Sequence, residues 1–276
     1  MNKHMKKAFF ILFLLYGISA AAQTDRIDSL LNDLIFSDET LLSEIISEKK
    51  DFLYAGLNYN NKTFFAGREI GTDLANVSGH VYYFSKYGLF AGASGIWYDQ
   101  LSPGYTTTML TLGYGLYLDK SKHFRASGSY SRLIYNSDTT AIYPYENNAN
   151  LTLSYRKDWY GARISNNLLF GSQTFYTLSP SVFAGFYFLD FGKNNRFYFG
   201  PEISGYFAKE TINLATTPEE VFGLLNVQLF LPLSVNLGNF ELQFGYSLNF
   251  PFTKDSAADY KVSSGFSVSA FYLMPL

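Results

Sequence analysis

The 276-residue chain has 21 Lys and Arg against 23 Asp and Glu, no cysteine, 19% aromatic residues and 16% charged residues. A soluble protein normally has about 25% charged residues, so this composition favours a membrane protein, and the charge balance suggests no nucleic acid partner. The absence of cysteine excludes disulfides and lipoprotein anchoring. The mean hydropathy of −0.02 suits a β-barrel, in which apolar residues alternate with polar ones. A soluble all-β protein that buries both sheet faces is the alternative.

Residues 1–22 have the pattern of a cleaved signal peptide. Three lysines precede an apolar run from Ala8 to Ile18, and Ala20–Ala22 supplies the small residues expected at a cleavage site. The apolar run is shorter than the roughly 20 residues that a transmembrane helix needs. We therefore expect an exported protein.

Residues 23–50 change to a helical period. Apolar residues from Ile27 to Ile35 recur at spacings of three and four, as on one face of a helix. Ser37 is suited to cap a second helical piece. The pattern predicts a short periplasmic helical segment, which is either a tether that covers its own apolar face or a plug or docking element for a partner.

From residue 51 onward the period becomes two. In Asn239–Phe250, six apolar residues from Phe240 to Phe250 alternate with Asn, Glu, Gln, Gly, Ser and Asn. Segments 107–118 and 261–272 repeat this design. Such alternation predicts strands with one apolar and one polar face. Over residues 51–276 it predicts an all-β fold, an antiparallel transmembrane β-barrel with an apolar outside and a polar lumen.

The connections between the predicted strands alternate between short and long, as in outer-membrane barrels, whose periplasmic turns are short. Counting backwards from a final strand at 261–274 gives about twelve strands with the C-terminus in the periplasm. Residues 52–68 are either one strand or two strands broken at Asn60–Asn61, and an even count with both chain ends periplasmic favours one. Two long connections, 136–146 and 209–220, are the predicted elements that either fold into the lumen or stand outward.

Several charged and amide side chains fall on the polar parity of their strands. The predicted lumen-lining residues are Arg125, Arg156, Arg163, Glu202, Glu241 and Gln243. Most of this set is expected near the periplasmic end, with Glu202 higher. Twelve strands enclose a narrow lumen, so these charges either form a stabilising network or select passing solutes.

Three stretches carry a resemblance to a known group of proteins. They are YAGLNYNNKTFFAGREIG at 54–71, VYYFSKYGLFAGASGIWYD at 81–99 and LGYGLYLDKSKHFRASGSYSR at 112–132. In these stretches the chain resembles Bacteroidetes-type outer-membrane β-barrel proteins of unassigned function. The resemblance implies a barrel and an outer-membrane location, and it implies no activity.

The sequence therefore predicts a monomeric barrel in a Gram-negative outer membrane, acting as a narrow passive channel or transport-related pore for small polar solutes. A non-conducting structural or adhesive barrel that acts through its external loops is the alternative, and an outer-membrane lipid enzyme comes third. An enzyme is not favoured, because the mature chain has two histidines and no recognisable Ser–His arrangement. No catalytic residue, cofactor or metal site is predicted, since there is neither cysteine nor a spaced pair of histidines. Outer-membrane lipid is the expected surrounding partner.

Overall fold

The computed structural model describes residues 50–65, 68–69, 74–99, 105–135, 145–191, 195–213, 218–253 and 260–276. The predicted signal peptide and all but the last residue of the predicted helical segment lie outside these ranges. Among the described residues, no helix is long and apolar enough to cross a membrane.

Fourteen strands form one antiparallel sheet, and two very short ones form a separate hairpin. The strands of the large sheet are β1 (Phe52–Asn60), β4 (Asn76–Phe84), β5 (Leu89–Tyr98), β6 (Tyr105–Tyr117), β7 (Phe124–Tyr135), β8 (Tyr145–Lys157), β9 (Tyr160–Gly171), β10 (Thr174–Ala184), β11 (Phe186–Asp190), β12 (Asn195–Phe199), β13 (Glu202–Asn213), β14 (Pro218–Leu237), β15 (Phe240–Pro251) and β16 (Ser263–Pro275). The hairpin consists of β2 (Phe64–Phe65) and β3 (Arg68–Glu69).

The sheet closes on itself into a barrel of twelve strands. Strands β10 and β11 are two pieces of one barrel strand interrupted at Gly185, and β12 and β13 are two pieces of the next, since both pair with β14. Closure comes from β1, which pairs with β4 on one side and with β16 on the other, from Phe52 opposite Pro275 to Asn60 opposite Ser267. The predicted count of twelve is confirmed.

Alternation sorts the side chains onto the two faces of the wall. On β15 the exposed side chains include Phe240, Phe244, Tyr246 and Phe250, whereas Glu241 and Asn249 are buried inside. Strands β6 to β9 follow the same pattern, with mostly Leu, Ile and Tyr outside and mostly Ser, Thr, Asn and Arg inside. The exposed apolar band is the surface that lipid covers in a transmembrane barrel.

The two rims of the barrel differ. One rim, here called the turn end, carries Asp51, Leu276 and the short connections 85–88, 118–123, 158–159 and 238–239. The opposite rim, the loop end, carries the connection from β1 to β4, the longer connections after β5, β7 and β15, and the short ones after β9 and β13. This arrangement agrees with the predicted strand directions.

Two connections differ from the sequence-based expectation. The predicted loop 209–220 is mostly paired strand, with register running from Lys209 opposite Phe222 to Asn213 opposite Pro218. The single strand predicted over residues 52–68 is wrong: β1 ends at Asn60, and Phe64–Phe65 and Arg68–Glu69 form the separate β2–β3 hairpin. Leu74, later in the same connection, packs inward. Residues 136–144 lie outside the described ranges, so the inward or outward course of that loop stays a prediction.

Candidate functional site

The inner face of the barrel is lined mainly by small polar side chains, which hydrogen-bond to one another from strand to strand. Thr111 and Ser131 lie 2.9 Å apart between β6 and β7, and Thr152 and Ser165 lie 3.1 Å apart between β8 and β9. Across the closing seam, Ser269 donates to Asn58 at 2.7 Å. These pairs satisfy polar groups that would otherwise be costly to bury, and they leave a surface suited to water.

A cluster of aromatic rings interrupts this polar lining on the wall formed by β16, β1, β4 and β5, towards the turn end. Its buried members are Phe52, Tyr54, Tyr82, Phe84, Phe90 and Phe271. His80 joins the cluster and is 5% exposed, with its ring 5.1 Å from that of Tyr54 and 6.1 Å from that of Phe271. We call this set the aromatic cluster. It fills one side of the lumen with apolar volume.

Glycines on the inner face make room for these rings. A methyl group added at Gly113 would lie 2.1 Å from Cζ of Phe90, and one added at Gly92 would lie 2.3 Å from Cδ1 of Tyr82. Gly56 accommodates His80 in the same way, at 2.5 Å. Each ring therefore occupies the space that a side chain on the neighbouring strand would fill.

At the loop end, the connection between β1 and β4 packs into the barrel. Leu74 is fully buried among inward-facing Ile96, Tyr98, Met109 and Leu133. The hydroxyl of Thr63 donates to the carbonyl oxygen of Leu74 at 2.7 Å, and Thr63 in turn accepts from Asn76 at 2.9 Å.

The start of the same connection lies against β16, on the other side of β1. Asn61 exchanges hydrogen bonds with the backbone of Phe266 on β16. The Phe64 ring covers Gly265, where an added methyl group would be 2.8 Å away. The connection is therefore held on both sides and narrows the loop end of the lumen. The sequence did not predict this inward course, because Phe64 was assigned to a strand over residues 52–68 and Leu74 falls between predicted strands.

The six predicted lumen residues all lie on the inward parity of their strands. Arg163 and Glu202 form a direct ion pair, with Nη2 of Arg163 2.5 Å from Oε1 of Glu202 and both side chains largely buried. The hydroxyl of Ser204 donates to the same carboxylate oxygen at 3.0 Å, and the Arg163 guanidinium lies 5.9 Å from the ring centroid of Phe183. Glu202 was expected to sit higher than Arg163. The register instead places it close enough to pair, because Arg163 and Ser204 both lie opposite Ser181.

Glu241 and Gln243 lie on a different wall. Glu241 is buried between Asn236 of β14 and Phe271 of β16. Gln243 donates from Nε2 to the hydroxyl of Ser234 at 3.3 Å. The structure therefore does not gather the six residues into one cluster, and their role in solute passage stays a prediction.

Arg125 and Arg156 meet at the turn end in a pocket of about 160 Å³. Arg125 is 7% exposed, and its Nη2 lies 3.1 Å from the point where a methyl group on Gly115 would stand. Lys122 and His123 from the β6–β7 turn and Asp158 from the β8–β9 turn complete the rim. We call this site the basic pocket, since its lining contains three side chains that are positively charged at neutral pH, Lys122, Arg125 and Arg156, and one carboxylate, Asp158.

The turn beside the basic pocket is held by Asp119. Burial opposes ionisation of this carboxyl, but the N–H groups of Phe124 and His123 donate to it at 2.8 and 3.2 Å and outweigh that effect, so the pKa of Asp119 lies below its usual value. Its charge is therefore engaged with the turn backbone. Among the described residues, no group of three His, Asp or Glu side chains is placed to hold a metal ion.

Comparison with known proteins yields structural likeness and nothing closer. No protein-family model matches the chain, and no curated protein matches it. Among solved structures, the KdgM porin aligns over 79% of this chain and 98% of its own at 11% identity with a TM-score of 0.48. The NanC porin aligns over 80% and 98% at 8% identity with a TM-score of 0.48. An outer membrane channel from Pseudomonas putida F1 aligns over 82% and 96% at 11% identity with a TM-score of 0.45. At these values the comparisons carry no conclusion about location, solute or role.

Proposed function

We propose that the protein is a monomeric barrel of a Gram-negative outer membrane, exported with residues 1–22 as a signal peptide that is then cleaved. We further propose that the barrel forms a narrow passive channel for small polar solutes. Its resemblance to Bacteroidetes-type barrels in residues 54–132 is part of the same proposal. The observation that carries it is the closed wall with an apolar outside and a hydroxyl- and amide-lined inside. Polar lining is what a water-filled barrel interior requires.

Two features make the proposed path narrow and asymmetric. The aromatic cluster occupies the wall formed by β16, β1, β4 and β5, and the connection around Leu74 covers the same side at the loop end. The polar lining continues along β7 to β9 and along β13 to β15. A solute would follow this polar wall and leave past the Arg163–Glu202 pair and the basic pocket. No reaction is proposed for the protein.

A second candidate is a barrel that does not conduct and acts through its loop-end surface. The observation in its favour is the apolar filling on one side of the lumen, where Tyr82 and Leu74 are fully buried. Side chains fill the interior of small barrels outright, and a network such as Arg163–Glu202 then serves only to hold the wall.

Single-channel recording separates the two candidates. The mature chain, refolded in detergent and checked for a folded, heat-sensitive electrophoretic band, is added to a planar bilayer. Discrete, voltage-independent conductance steps of uniform size support the channel. A fully folded protein that gives no steps overturns it and supports the non-conducting barrel, and the search then moves to partners of the loop end.

A further inference from the structure

We propose that the basic pocket is a binding site for a small oxyanion, the phosphate or carboxylate group of a solute or ligand. The proposal extends the proposed channel function by naming a ligand class for its turn-end mouth. It depends on the pocket itself, so the site is testable whether or not the barrel conducts.

Most of the charged side chains that line the basic pocket are cationic. Lys122, Arg125 and Arg156 line the pocket, and the opposing carboxylate in its lining is Asp158. The nearby carboxylate of Asp119 is committed to the backbone amides of His123 and Phe124 and lies 4.0 Å from Nδ1 of His123. The pocket lining therefore holds three basic side chains and one carboxylate, and this composition favours an anion as the occupant.

Geometry is the second argument. Arginine presents a planar fork that matches the oxygens of phosphate and carboxylate groups. Gly115 leaves space for the Arg125 guanidinium, whose Nη2 lies 3.1 Å from where a methyl group on this glycine would stand. Ser154, which lies opposite Arg125 on β8, adds a hydroxyl donor to the lining. The pocket thus combines charge-assisted donors with a neutral one.

The conformation of the rim is the third argument. Among the described residues, the two non-glycine residues with positive φ are Lys122 at 57° and Asp158 at 53°, and both line this pocket. Such backbone angles are uncommon, particularly for lysine. Lys122 is further oriented by the ring of Tyr117, whose centroid lies 5.8 Å from Nζ. The two turns therefore place the backbones of both charged residues at the rim.

The basic pocket lies at the turn-end mouth of the lumen. Arg125 lies on β7 four residues closer to the turn end than Ser129, which shares a register row with Gly113 and Phe90. The aromatic cluster thus occupies the neighbouring wall just inside the mouth. An anion moving along the polar wall would meet the basic pocket as it reaches the turn end.

The test is calorimetric titration of the detergent-refolded mature protein with inorganic phosphate at pH 7 and low salt. The informative pair of variants is Arg156→Gln and Lys157→Gln. These adjacent residues end the same strand and lose the same charge, but Arg156 lines the pocket whereas Lys157 points outward and is exposed. We expect saturable binding that weakens at least tenfold in Arg156→Gln and changes less than twofold in Lys157→Gln.

Absence of phosphate binding to the folded wild-type protein, or equal weakening by both variants, would overturn the site. Arg125→Lys keeps the charge but removes the fork, and a several-fold loss of affinity is expected. It also serves in place of Arg156→Gln if that variant fails to fold. Titration with glycerol phosphate identifies the source: tighter binding than inorganic phosphate indicates a lipid headgroup, and equal or weaker binding indicates a free anion. A barrel that binds phosphate but is silent in bilayers retains the site and overturns only the channel.

Discussion

The backbone amide of Leu276 donates a hydrogen bond of 2.9 Å to the carbonyl oxygen of Asp51, so the last residue of the chain is fastened to the residue that precedes β1. The side chain of Asp51 makes a second attachment. Its carboxylate accepts from the backbone N–H of Lys86 at 2.9 Å and from the hydroxyl of Tyr83 at 2.8 Å. Asp51 thus joins the chain end, β4 and the β4–β5 turn beside the seam where β1 and β16 close the barrel.

These contacts predict a pH-dependent contribution to stability. Donation by the Lys86 amide, then by the Tyr83 hydroxyl, lowers the pKa of Asp51 below its usual value. A lowered pKa stabilises the folded state above the unfolded pKa of about 4, and this contribution is lost as the pH falls through the folded value. We expect Asp51→Asn to unfold at lower urea concentration than the wild type at pH 7, and the difference to shrink below about pH 4.

The matched control for the seam is Tyr83→Phe, which removes one donor and keeps the ring. It should reproduce part of the loss at pH 7, and the double variant should lose less than the sum of the two single variants because the side chains interact directly. A difference in urea midpoint between Asp51→Asn and the wild type that stays constant from pH 7 to about pH 3 would contradict the assigned role.

Phe244 and Gln243 test the sorting of side chains between lipid and lumen. Phe244 is 48% exposed on the outer face in mid-strand, and Gln243 points inward towards Ser234. A cation on the lipid face near the bilayer midplane costs about 2–4 kcal/mol. Phe244→Arg should therefore reduce assembly into lipid vesicles, measured by the folded electrophoretic band, whereas Gln243→Arg should be tolerated. Equal damage from both variants would show that the faces are assigned wrongly.

A substitution at Gly113 tests whether aromatic rings pack against inward-facing glycines. Ala at this position would put a methyl group 2.1 Å from Cζ of Phe90, and overpacking of this kind typically costs about 1–3 kcal/mol. Gly128→Ala is the control, since a methyl group there meets nothing nearer than 3.6 Å. We expect a lower urea midpoint for Gly113→Ala alone, with partial recovery when Phe90→Leu is added. A Gly113→Ala protein as stable as the wild type would contradict this packing.

The Arg163–Glu202 pair predicts non-additive effects. Glu202→Gln leaves the buried guanidinium without the carboxylate contact at 2.5 Å, which should cost about 1–3 kcal/mol. Arg163→Gln should cost a similar amount, and the double variant should be more stable than the sum of the two losses implies. A double-mutant cycle of urea unfolding measures the coupling, and additive losses would mean that the two charges do not interact in the membrane.

Leu74 links packing at the loop end to conduction. Leu74→Ala removes buried volume between Ile96, Tyr98, Met109 and Leu133 and should destabilise the protein by about 2–4 kcal/mol. If the barrel conducts, the single-channel step should also become larger. Leu110→Ala, on the outer face of β6, should leave the step unchanged, and so an equal rise in both variants would exclude a local effect at Leu74.

The sequence predicted what alternation controls. Strand number, strand direction, the end that carries Leu276 and the inward parity of residues such as Arg125 and Arg163 follow from period two and from the lengths of the connections. Tertiary features without a local pattern were not predicted. The inward course of the β1–β4 connection depends on Leu74 meeting residues of three other strands.

Charge pairing within the lumen was also beyond the sequence, because it depends on the stagger between strands. Arg163 and Glu202 are separated by 39 positions in the chain, and a register shift of two residues on either strand would separate their heads. For the same reason, the basic pocket was not foreseen as a unit: its residues come from three strands and two turns.

The division of each strand between two solvents has a consequence for how such a chain can change over generations. Alternate positions of a strand are under different constraints, because one set faces outward and the other faces the interior of the barrel. Substitutions among Leu, Phe, Val and Tyr outside, or among Ser, Thr and Asn inside, leave the other set untouched. If the barrel conducts, its solute preference can therefore diverge at the inner positions while the lipid-facing positions stay unchanged. The exceptions are inward glycines such as Gly113, which are tied to a particular ring on the adjacent strand, and these positions should change only together with their partners.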